Sequence, residues 1–305
     1  MNERPLVSAV ITTYRRPAET VRRSLESVVS QSYENMEIFV VNDFPDDKTL
    51  VMELERLTKE YDAKRKIYYL VVEKNGGACK ARNLALSKAE GKYFLCLDDD
   101  DEWLPHKVWL QVEQAERHPK AAIVYGNAWI QYVERNVREL LFKEPQPTGD
   151  IFGEILAKNC IGSCSFPLFR TEMLREVGGF HEDMPALQDW ELYLRLLKRY
   201  EAAYVREPVA VYYFYDGERI SAHPENRVKA FEKIHREFQK EIQEDRKSGS
   251  SFYLMGTYFY SLAGDRKKAW HYYVLGVRNS PWEIRRNLKD LCRMVGRRWI
   301  RPSKV

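Results

Sequence analysis

Two hydrophobic patterns alternate along the first hundred residues. Short runs of consecutive apolar residues alternate with longer segments in which apolar residues recur every three or four positions. Unbroken apolar runs are typical of strands covered on both faces, and the longer spacing is typical of amphipathic helices. The predicted strands are residues 5–14, 37–43, 66–72 and 93–97, and the predicted helices are 18–30, 50–61 and 78–89. This alternation predicts βαβ units with right-handed crossovers, and therefore an α/β fold with a mostly parallel, Rossmann-like sheet flanked by helices.

The pattern stays mixed up to about residue 226 and is helical afterwards. We predict further strands at 121–126, 128–133, 137–142, 165–169 and 202–215, and further helices at 105–116, 151–158, 171–177 and 188–200. Beyond residue 227 we predict a charged helix at 229–245, a flexible Ser-Gly-Ser-Ser break at 248–251 and a helical hairpin at 252–278. We therefore expect one domain at residues 1–226 and a small C-terminal helical region at 227–305.

Composition narrows the class of protein only modestly. Hydrophobic residues make up 44% of the 305 residues, and charged residues make up 31% with a formal net charge of +4. That balance does not call for a nucleic-acid partner. No apolar stretch is long enough to span a bilayer, and no N-terminal run resembles a signal peptide. The five cysteines are odd in number and form no Cys-x-x-Cys pair, so we expect a reducing, cytoplasmic location.

Four consecutive aspartates follow the predicted strand at 93–97. A buried strand that ends in Asp98–Asp101 places carboxylates at its C-terminal end, where open α/β sheets bind ligands. One interpretation is a site for a divalent cation that holds a substrate phosphate, because oxygen ligands relieve the repulsion among the four charges. The other is a solvated loop whose last aspartate caps a helix near Leu104. This stretch alone does not separate the two.

The loops after the other predicted strands support the first interpretation. In a parallel sheet these loops lie at one edge, and here they carry small polar, glycine-rich and acidic residues. The loops are residues 12–16, 42–47, 73–80 and 98–101. Such a mixture suits a nucleotide with a metal-bound diphosphate.

Five motifs at these positions resemble those of the family 2 inverting glycosyltransferases with the type-A nucleotide-sugar fold. They are Val7–Pro17, Val40–Asp43, Asn75–Asn83, the Leu-Asp-x-Asp-Asp-x-Trp box at Leu97–Trp103, and Gly178–Asp183 followed by Gln188–Trp190. The resemblance covers about residues 6 to 220. Three positions depart from the family pattern. Thr12 replaces a usual proline, Asn42 a usual acid, and Phe44-Pro45 a usual Gly-Ser pair.

The resemblance implies a divalent cation, Mn²⁺ or Mg²⁺, bound through the aspartate box. Asp100 is the implied main metal ligand, and Asp98 is implied to face the ribose and sugar and to share in metal binding. Asp99 or Asp101 can share this role, because the run has no spacer that sets its register.

The resemblance also implies a binding site for a nucleotide-sugar donor, with a UDP-sugar expected from a uracil contact to Asp43. Whether Asn42 or Asp43 touches the base stays open because of the departures there. Tyr14 is expected to pack on the base, and Arg82 to support the acidic cluster or the diphosphate. The complete implied donor-binding set is Thr13, Tyr14, Arg16, Asn42, Asp43, Asn75, Gly76, Lys80, Arg82, Asp98 and Asp99.

The last motif implies the acceptor side of the reaction. Asp189 is the expected general base, which takes a proton from the acceptor hydroxyl, and its position also suits an acidic residue in the first helical turn. Gln188 and Trp190 are expected to shape the acceptor pocket. The expected acceptor is a glycan or a lipid-linked glycan in cell-surface polysaccharide synthesis.

The C-terminal segment 281–305 carries many basic residues and an apolar stripe. It is expected either to contact the inner membrane face peripherally or to pack on the hairpin. Two other functions compete with sugar transfer. A sugar-phosphate nucleotidyltransferase would need a glycine-rich loop, which Thr12–Arg16 is not, and the aspartates could instead belong to a non-catalytic metal-binding or docking protein.

Overall fold

The computed structural model describes residues 4–215 and 223–282, which form two compact units. The first unit comprises residues up to 151, 161–183 and 192–217, and the second comprises 152–160, 184–191 and the chain from 218 onward. This division differs from the predicted boundary at 226/227, because two short segments of the earlier chain pack with the C-terminal helices. Most of the C-terminal basic segment, residues 283–305, lies outside the described residues.

The first third of the chain folds as strands and helices in strict alternation. The elements are β1 Val7–Thr13, α1 Ala18–Val29, β2 Met36–Asn42, α2 Lys48–Lys59, β3 Lys66–Val71, α3 Gly77–Lys88 and β4 Tyr93–Asp98. Strands β3, β2, β1 and β4 are neighbours in that order, and all three pairings are parallel. Every residue of β1 and β2 is buried, as the unbroken apolar runs predict for strands covered on both faces.

The middle of the chain extends this sheet with strands of both directions. The elements are β5 Glu102–Trp103, α4 Lys107–Arg117, β6 Ala121–Tyr132, β7 Val137–Leu140, α5 Phe152–Ala157, β8 Leu168–Arg170, α6 Thr171–Glu176, α7 Gln188–Leu197 and β9 Glu201–Phe214. The full strand order is β3-β2-β1-β4-β8-β6-β9-β5, with β7 on β6. Strand β8 is antiparallel to its neighbours β4 and β6, whereas β6 and β9 are parallel to each other. The predicted α/β class is confirmed, with a mixed sheet.

The strands predicted at 121–126 and 128–133 are one continuous strand, β6. Its register against β9 shifts on both sides of Asn127, which accounts for the apparent interruption in the sequence. Gly126 is required there, because a Cβ atom would lie 2.7 Å from Val209 Cγ1 on the neighbouring strand.

The second unit contains the C-terminal helices α8 Pro224–Glu237, α9 Gln239–Glu244, α10 Arg246–Leu262 and α11 Arg266–Asn279. The helix predicted at 229–245 is two helices that meet at Phe238, whose buried ring packs 6.3 Å from Phe152. The predicted hairpin is present as α10 and α11. No helix among the described residues has the length and apolarity needed to cross a membrane.

The flexible break predicted at 248–251 is wrong, because these residues form the first turns of α10. Asp245 caps the helix by accepting hydrogen bonds from the backbone N–H groups of Lys247 and Ser248, both at 3.1 Å. A Cβ atom on Gly249 would lie 2.0 Å from the carbonyl oxygen of Ile242, and Ser250 Oγ donates to the carbonyl of Gly276 at 2.7 Å. The small residues therefore permit close helix packing.

Candidate functional site

The sheet brings the ends of three parallel strands to one edge. Strand pairing sets Thr13 opposite Asn42 at the ends of β1 and β2, and Thr12 opposite Asp98 at the end of β4. All the residues of the implied donor and metal sites lie in the first unit. They occur in β1, β2 and β4, in the loops that follow β1, β2, β3 and β4, or in α3.

Asp98 is held by a buried guanidinium group. Arg82 on α3 donates from Nη2 to Asp98 Oδ1 at 2.6 Å, and its side chain is 7% exposed whereas that of Asp98 is 35% exposed. The Asp98 backbone N–H also donates to Ser165 Oγ at 3.1 Å. Arg82 therefore supports the acidic cluster, as expected, and Asp98 retains an exposed side-chain surface.

Asp99 and Asp100 share one counter-ion, Arg16. Its Nη2 lies 2.8 Å from Asp100 Oδ2, and its Nε lies 3.4 Å from Asp99 Oδ1. Burial raises the pKa of Asp99 to about 6, with the charges of Asp100 and Asp98 adding to the rise and the Thr13 hydroxyl and Arg16 opposing it. Burial, followed by the charge of Asp98, raises the pKa of Asp100 as well. A cation bound here in addition to Arg16 would favour the charged forms of Asp99 and Asp100.

Asp101 plays a structural part in the run. It is 1% exposed, its Oδ2 accepts a hydrogen bond from Ser165 Oγ at 2.6 Å, and burial raises its pKa well above the ordinary range. It does not cap the following helix, since α4 begins after His106. Of the four aspartates, Asp98 and Asp100 are therefore the two with substantial exposure.

Helix α1 holds the backbone of the aspartate run through contacts that the sequence did not reveal. Ser24 Oγ donates to the carbonyl oxygens of Asp99 and Asp101, at 2.7 and 2.9 Å. Arg23 Nη2 donates to the carbonyl of Asp100 at 2.6 Å. A serine at a buried helical position beside Val21, Leu25 and Val28 was the available signal in the sequence.

Asp43 links the second loop to the third. Its carboxylate accepts hydrogen bonds from Asn75 Nδ2 at 2.8 Å and from the backbone N–H groups of Gly76 and Gly77 at 3.0 and 2.7 Å. Gly77 has φ +84°, which favours glycine at the start of α3. Asn42 and Asp43 are both buried, at 0% and 3% exposure, but they have different partners: the Asn42 amide contacts Tyr69 and the Phe44 backbone.

Aromatic and cationic side chains form an exposed group beside Asp43. The rings of Tyr14 and Phe44 meet edge to face at 5.5 Å, and the Arg15 guanidinium lies 4.5 Å from the centre of the Phe44 ring. Arg15 has φ +55°, a conformation that costs free energy for a residue with a side chain. Nearby on α3, the Lys80 side chain folds over Gly76, where a Cβ atom would lie 2.2 Å from Lys80 Cδ.

Gln188, Asp189 and Trp190 begin α7 and belong to the second unit. Leu187, the residue before them, has φ +56°, a strained backbone conformation. Asp189 Oδ1 accepts a hydrogen bond from the Trp190 backbone N–H at 2.7 Å, and Gln188 Nε2 donates to the carbonyl of Met184 at 3.3 Å.

Trp190 is a core residue of the second unit. It is 2% exposed, its Nε1 donates to the carbonyl of Ile155 at 2.6 Å, and its ring packs 5.8 Å from Phe252. It therefore anchors the start of α7 on α5 and α10. Trp190 would therefore influence an acceptor pocket indirectly, by fixing the position of α7.

The first unit also has a wide depression of about 750 Å³ lined by Arg4, Tyr33, Lys92, Trp109 and Glu116. It includes residues that precede β1 and β4, and so it marks the other edge of the sheet. None of the predicted site residues lines it. The chemistry-bearing groups therefore lie away from this depression.

Comparison with known families agrees with the arrangement of the strand ends. The model of the family described as glycosyl transferase family 2 matches residues 8–178. This chain belongs to glycosyl transferase family 2. The match includes every residue of the implied donor and metal sites, whereas Gln188, Asp189 and Trp190 lie beyond it.

Curated relatives in family 2 differ in how much of their length this chain spans. An uncharacterized glycosyltransferase of Haemophilus influenzae is 25% identical over 88% of this chain and 89% of its own length. One from Rickettsia felis is 30% identical over 64% of this chain but only 32% of its own length. Escherichia coli WcaA, whose name refers to colanic acid biosynthesis, is 27% identical over 72% of this chain and 76% of its own length.

Solved structures show the same fold. S. aureus TarS in complex with UDP-GlcNAc has a TM-score of 0.62 and 21% identity, over 84% of this chain and 72% of that one. The mannosyltransferase PcManGT of Pyrobaculum calidifontis, in complex with GDP-Man and Mn²⁺, has a TM-score of 0.60 and 16% identity, over 99% of this chain and 82% of that one.

Proposed function

We propose that this family 2 protein is a metal-dependent inverting glycosyltransferase. In this proposal it transfers a hexosyl group from a nucleoside-diphosphate sugar, with a UDP-sugar preferred, to a hydroxyl group of a glycan or lipid-linked acceptor. Support for the donor class comes from the complexes of TarS and PcManGT, which bind UDP-GlcNAc and GDP-Man. Support for a role in cell-surface polysaccharide synthesis comes from the name of WcaA.

The observation that carries the proposal is the pair of part-exposed carboxylates, Asp98 and Asp100, at the end of a buried parallel strand. Their oxygen atoms fit Mn²⁺ or Mg²⁺, which prefer such ligands and need few from the protein when a diphosphate supplies the others. The raised pKa of Asp100 fits as well, because its charged form lacks a sufficient counter-ion. When bound, the cation stabilises negative charge on the diphosphate leaving group.

The protein side chains would orient the donor around this position. Arg16 reaches both Asp99 and Asp100 from a half-exposed loop, so it is placed to contact the diphosphate as well. Asp43 holds Asn75 and Gly76 in the third loop and is the proposed contact to the uracil base. Tyr14 offers an exposed ring for packing on that base.

Asp189 is the proposed general base. A carboxylate near the acceptor hydroxyl would remove its proton as the oxygen attacks the anomeric carbon from the side opposite the diphosphate, which inverts the configuration. The strained Leu187 backbone supports a functional position, because strain of this kind is concentrated at sites where geometry matters. Gln188 is the proposed acceptor contact, and Trp190 holds the start of the helix in place.

We also propose that the protein acts in the cytoplasm, with the basic segment 283–305 making peripheral contact with the inner membrane face. Eight Lys and Arg residues against two acidic ones in this segment support attraction to anionic lipids.

The experiment that tests this function measures ligand binding by calorimetry and by thermal shift. Binding of UDP that requires Mn²⁺ supports the transferase. Stronger stabilisation by UTP would favour a nucleotidyltransferase instead, and the absence of any nucleotide effect would favour a docking protein. Transfer from a radiolabelled UDP-sugar to lipid-linked glycan extracts then completes the test.

A further inference from the structure

The outward face of α11 combines basic and aromatic side chains. Arg266–Asn279 contains four Lys and Arg residues and no acidic residue. Five of its positions follow helical spacing and lie along one stripe of the helix, and Arg266 and Lys268 are exposed beside it. The stripe is Lys267, Trp270, His271, Val274 and Arg278, of which Val274 is half-buried.

The opposite face of α11 is already occupied. Tyr272 stacks on Tyr260 of α10 at 5.3 Å, and Gly276 accepts a hydrogen bond from Ser250. Lys268 lies outside the stripe: its side chain is 56% exposed, and its Nζ is 3.2 Å from the Tyr260 hydroxyl and 3.8 Å from Glu232 Oε1. The outer stripe is therefore a separate surface from the packed face. The contacts of α11 with the rest of the second unit do not explain why the stripe is basic.

Two exposed tryptophans add apolar area to this basic surface. Trp270 is 53% exposed and stacks on Tyr273 at 5.5 Å, which restricts its orientation. Trp282, three residues beyond the end of α11, is 90% exposed. Large exposed rings cost free energy in water, and tryptophan beside Lys or Arg is favoured at the boundary between lipid headgroups and acyl chains.

The start of α10 lies beside the end of α11. A Cβ atom on Gly249 would be 3.2 Å from Asn279 Nδ2, and Ser250 Oγ donates to the carbonyl of Gly276. The outer stripe therefore belongs to a helix that is packed along α10 up to its last turn.

From these contacts we infer that the outer stripe of α11, with Trp282, docks on an anionic lipid bilayer. The chain's own segment 283–305 is a poor cover for the stripe, because eight basic and two acidic residues give it the same sign of charge. A second copy of the chain would place the same basic stripe against itself. An anionic bilayer matches both the charge and the exposed indole rings. The inference does not depend on sugar transfer, so the two can fail separately.

The test uses the full chain and co-sedimentation with vesicles of phosphatidylcholine, with and without phosphatidylglycerol. We expect binding only when phosphatidylglycerol is present. Lys267→Glu combined with Arg278→Glu should weaken it at least about 10-fold, because each basic residue near an anionic surface contributes strongly. Trp270→Ser should weaken it less while leaving its salt dependence unchanged.

A matched control carries the same change of charge in the first unit. Lys88→Glu with Lys120→Glu alters two exposed lysines on other elements, and should reduce vesicle binding only slightly. Thermal melts verify that the variants fold, and a variant that does not fold is replaced by Lys267→Gln with Arg278→Gln. Equal binding by the α11 and control variants would overturn the inference. So would loss of binding confined to Arg285→Glu with Arg286→Glu, or a change in oligomeric state in place of vesicle binding.

Discussion

The two units differ in how they surround their part-buried acidic groups. In the second unit, Glu232 lies among donors of its own unit, with hydrogen bonds from the Tyr260 and Tyr272 hydroxyl groups and Lys268 close by. In the first unit, the guanidinium groups of Arg16, Arg23 and Arg82 contact the aspartate run, yet the pKa values of Asp99 and Asp100 remain raised.

This difference separates a structural acid from acids whose shared counter-ion does not offset the effect of burial. A satisfied carboxylate stabilises its surroundings and gains little from a further cation. Carboxylates that remain destabilised in their charged form gain most when a cation binds, which is why strongly perturbed acids concentrate at functional sites. Variants at the sheet edge and in the helical unit test this contrast.

The largest effect is expected for Asp100→Ala. Removal of the proposed main ligand should abolish Mn²⁺-dependent UDP binding, with a loss of at least about 100-fold, and sugar transfer should disappear with it. Calorimetric titration of UDP with and without Mn²⁺ measures the effect. Asp46→Ala, at an exposed loop position after β2, is the control and should bind as the wild type does. Equal binding by the two variants would refute the metal assignment.

Asp189→Asn should slow transfer without changing donor binding. Loss of a general base lowers the rate by about 10²–10⁴-fold, whereas the residues proposed to bind the nucleotide are unaltered. Single-turnover transfer and UDP titration are measured on the same preparation. Glu225→Gln, another acidic residue in the first turn of a helix of the second unit, serves as the control. Transfer at the wild-type rate would exclude Asp189 as the base.

Phe231→Ala should destabilise the second unit by about 3–5 kcal/mol. Phe231 is fully buried, and its ring stacks on Phe252 at 4.7 Å and meets Tyr272 at 5.2 Å. Its removal leaves a cavity that these rings are too rigid to fill. Denaturant titration measures the free energy of unfolding. Phe231→Leu, which keeps more of the volume, should cost clearly less; equal losses would mean that the cavity is not the cause.

The smallest effect is a pH dependence that originates at His235. Burial lowers the pKa of His235 below its ordinary value, with the charges of His271 and Arg236 adding to this and Glu232 opposing it. The unfolded chain then binds more protons than the folded one below about pH 6.5, so the free energy of unfolding should fall as the pH drops from about 7 to about 5. His235→Gln should flatten this part of the stability curve. An unchanged slope in that variant would assign the pH dependence to other groups.

Local patterns predicted most of the framework. The order of the first four strands and three helices follows from apolar runs and helical spacing, and the observed bounds of β1, β2, β3 and β4 lie within two residues of the predicted ones. Local patterns succeed there because parallel strands buried on both faces carry a signal in every residue. The candidate metal site could also be proposed from the sequence alone, because four adjacent aspartates follow a predicted strand.

Contacts between distant residues decided what the sequence left open. Asp101 is buried, unlike Asp98 and Asp100, and it accepts a hydrogen bond from Ser165, which lies 64 residues later in the chain. The small residues at 248–251 look like a linker until Ile242 and Gly276 approach them. Trp190 was likewise expected to shape the acceptor pocket from its place in the sequence motif. In the structure it is buried, and its Nε1 donates to the carbonyl of Ile155.

The sequence by itself therefore determined the α/β order, the family and the residues available for chemistry at the strand ends. Only the tertiary structure decided which of those residues are exposed and charged, which small residues serve close packing, and how the chain divides into units. The physical reason is that hydrophobic periodicity is a property of neighbouring residues, whereas burial, pKa and close helix contact depend on groups brought together from far along the chain.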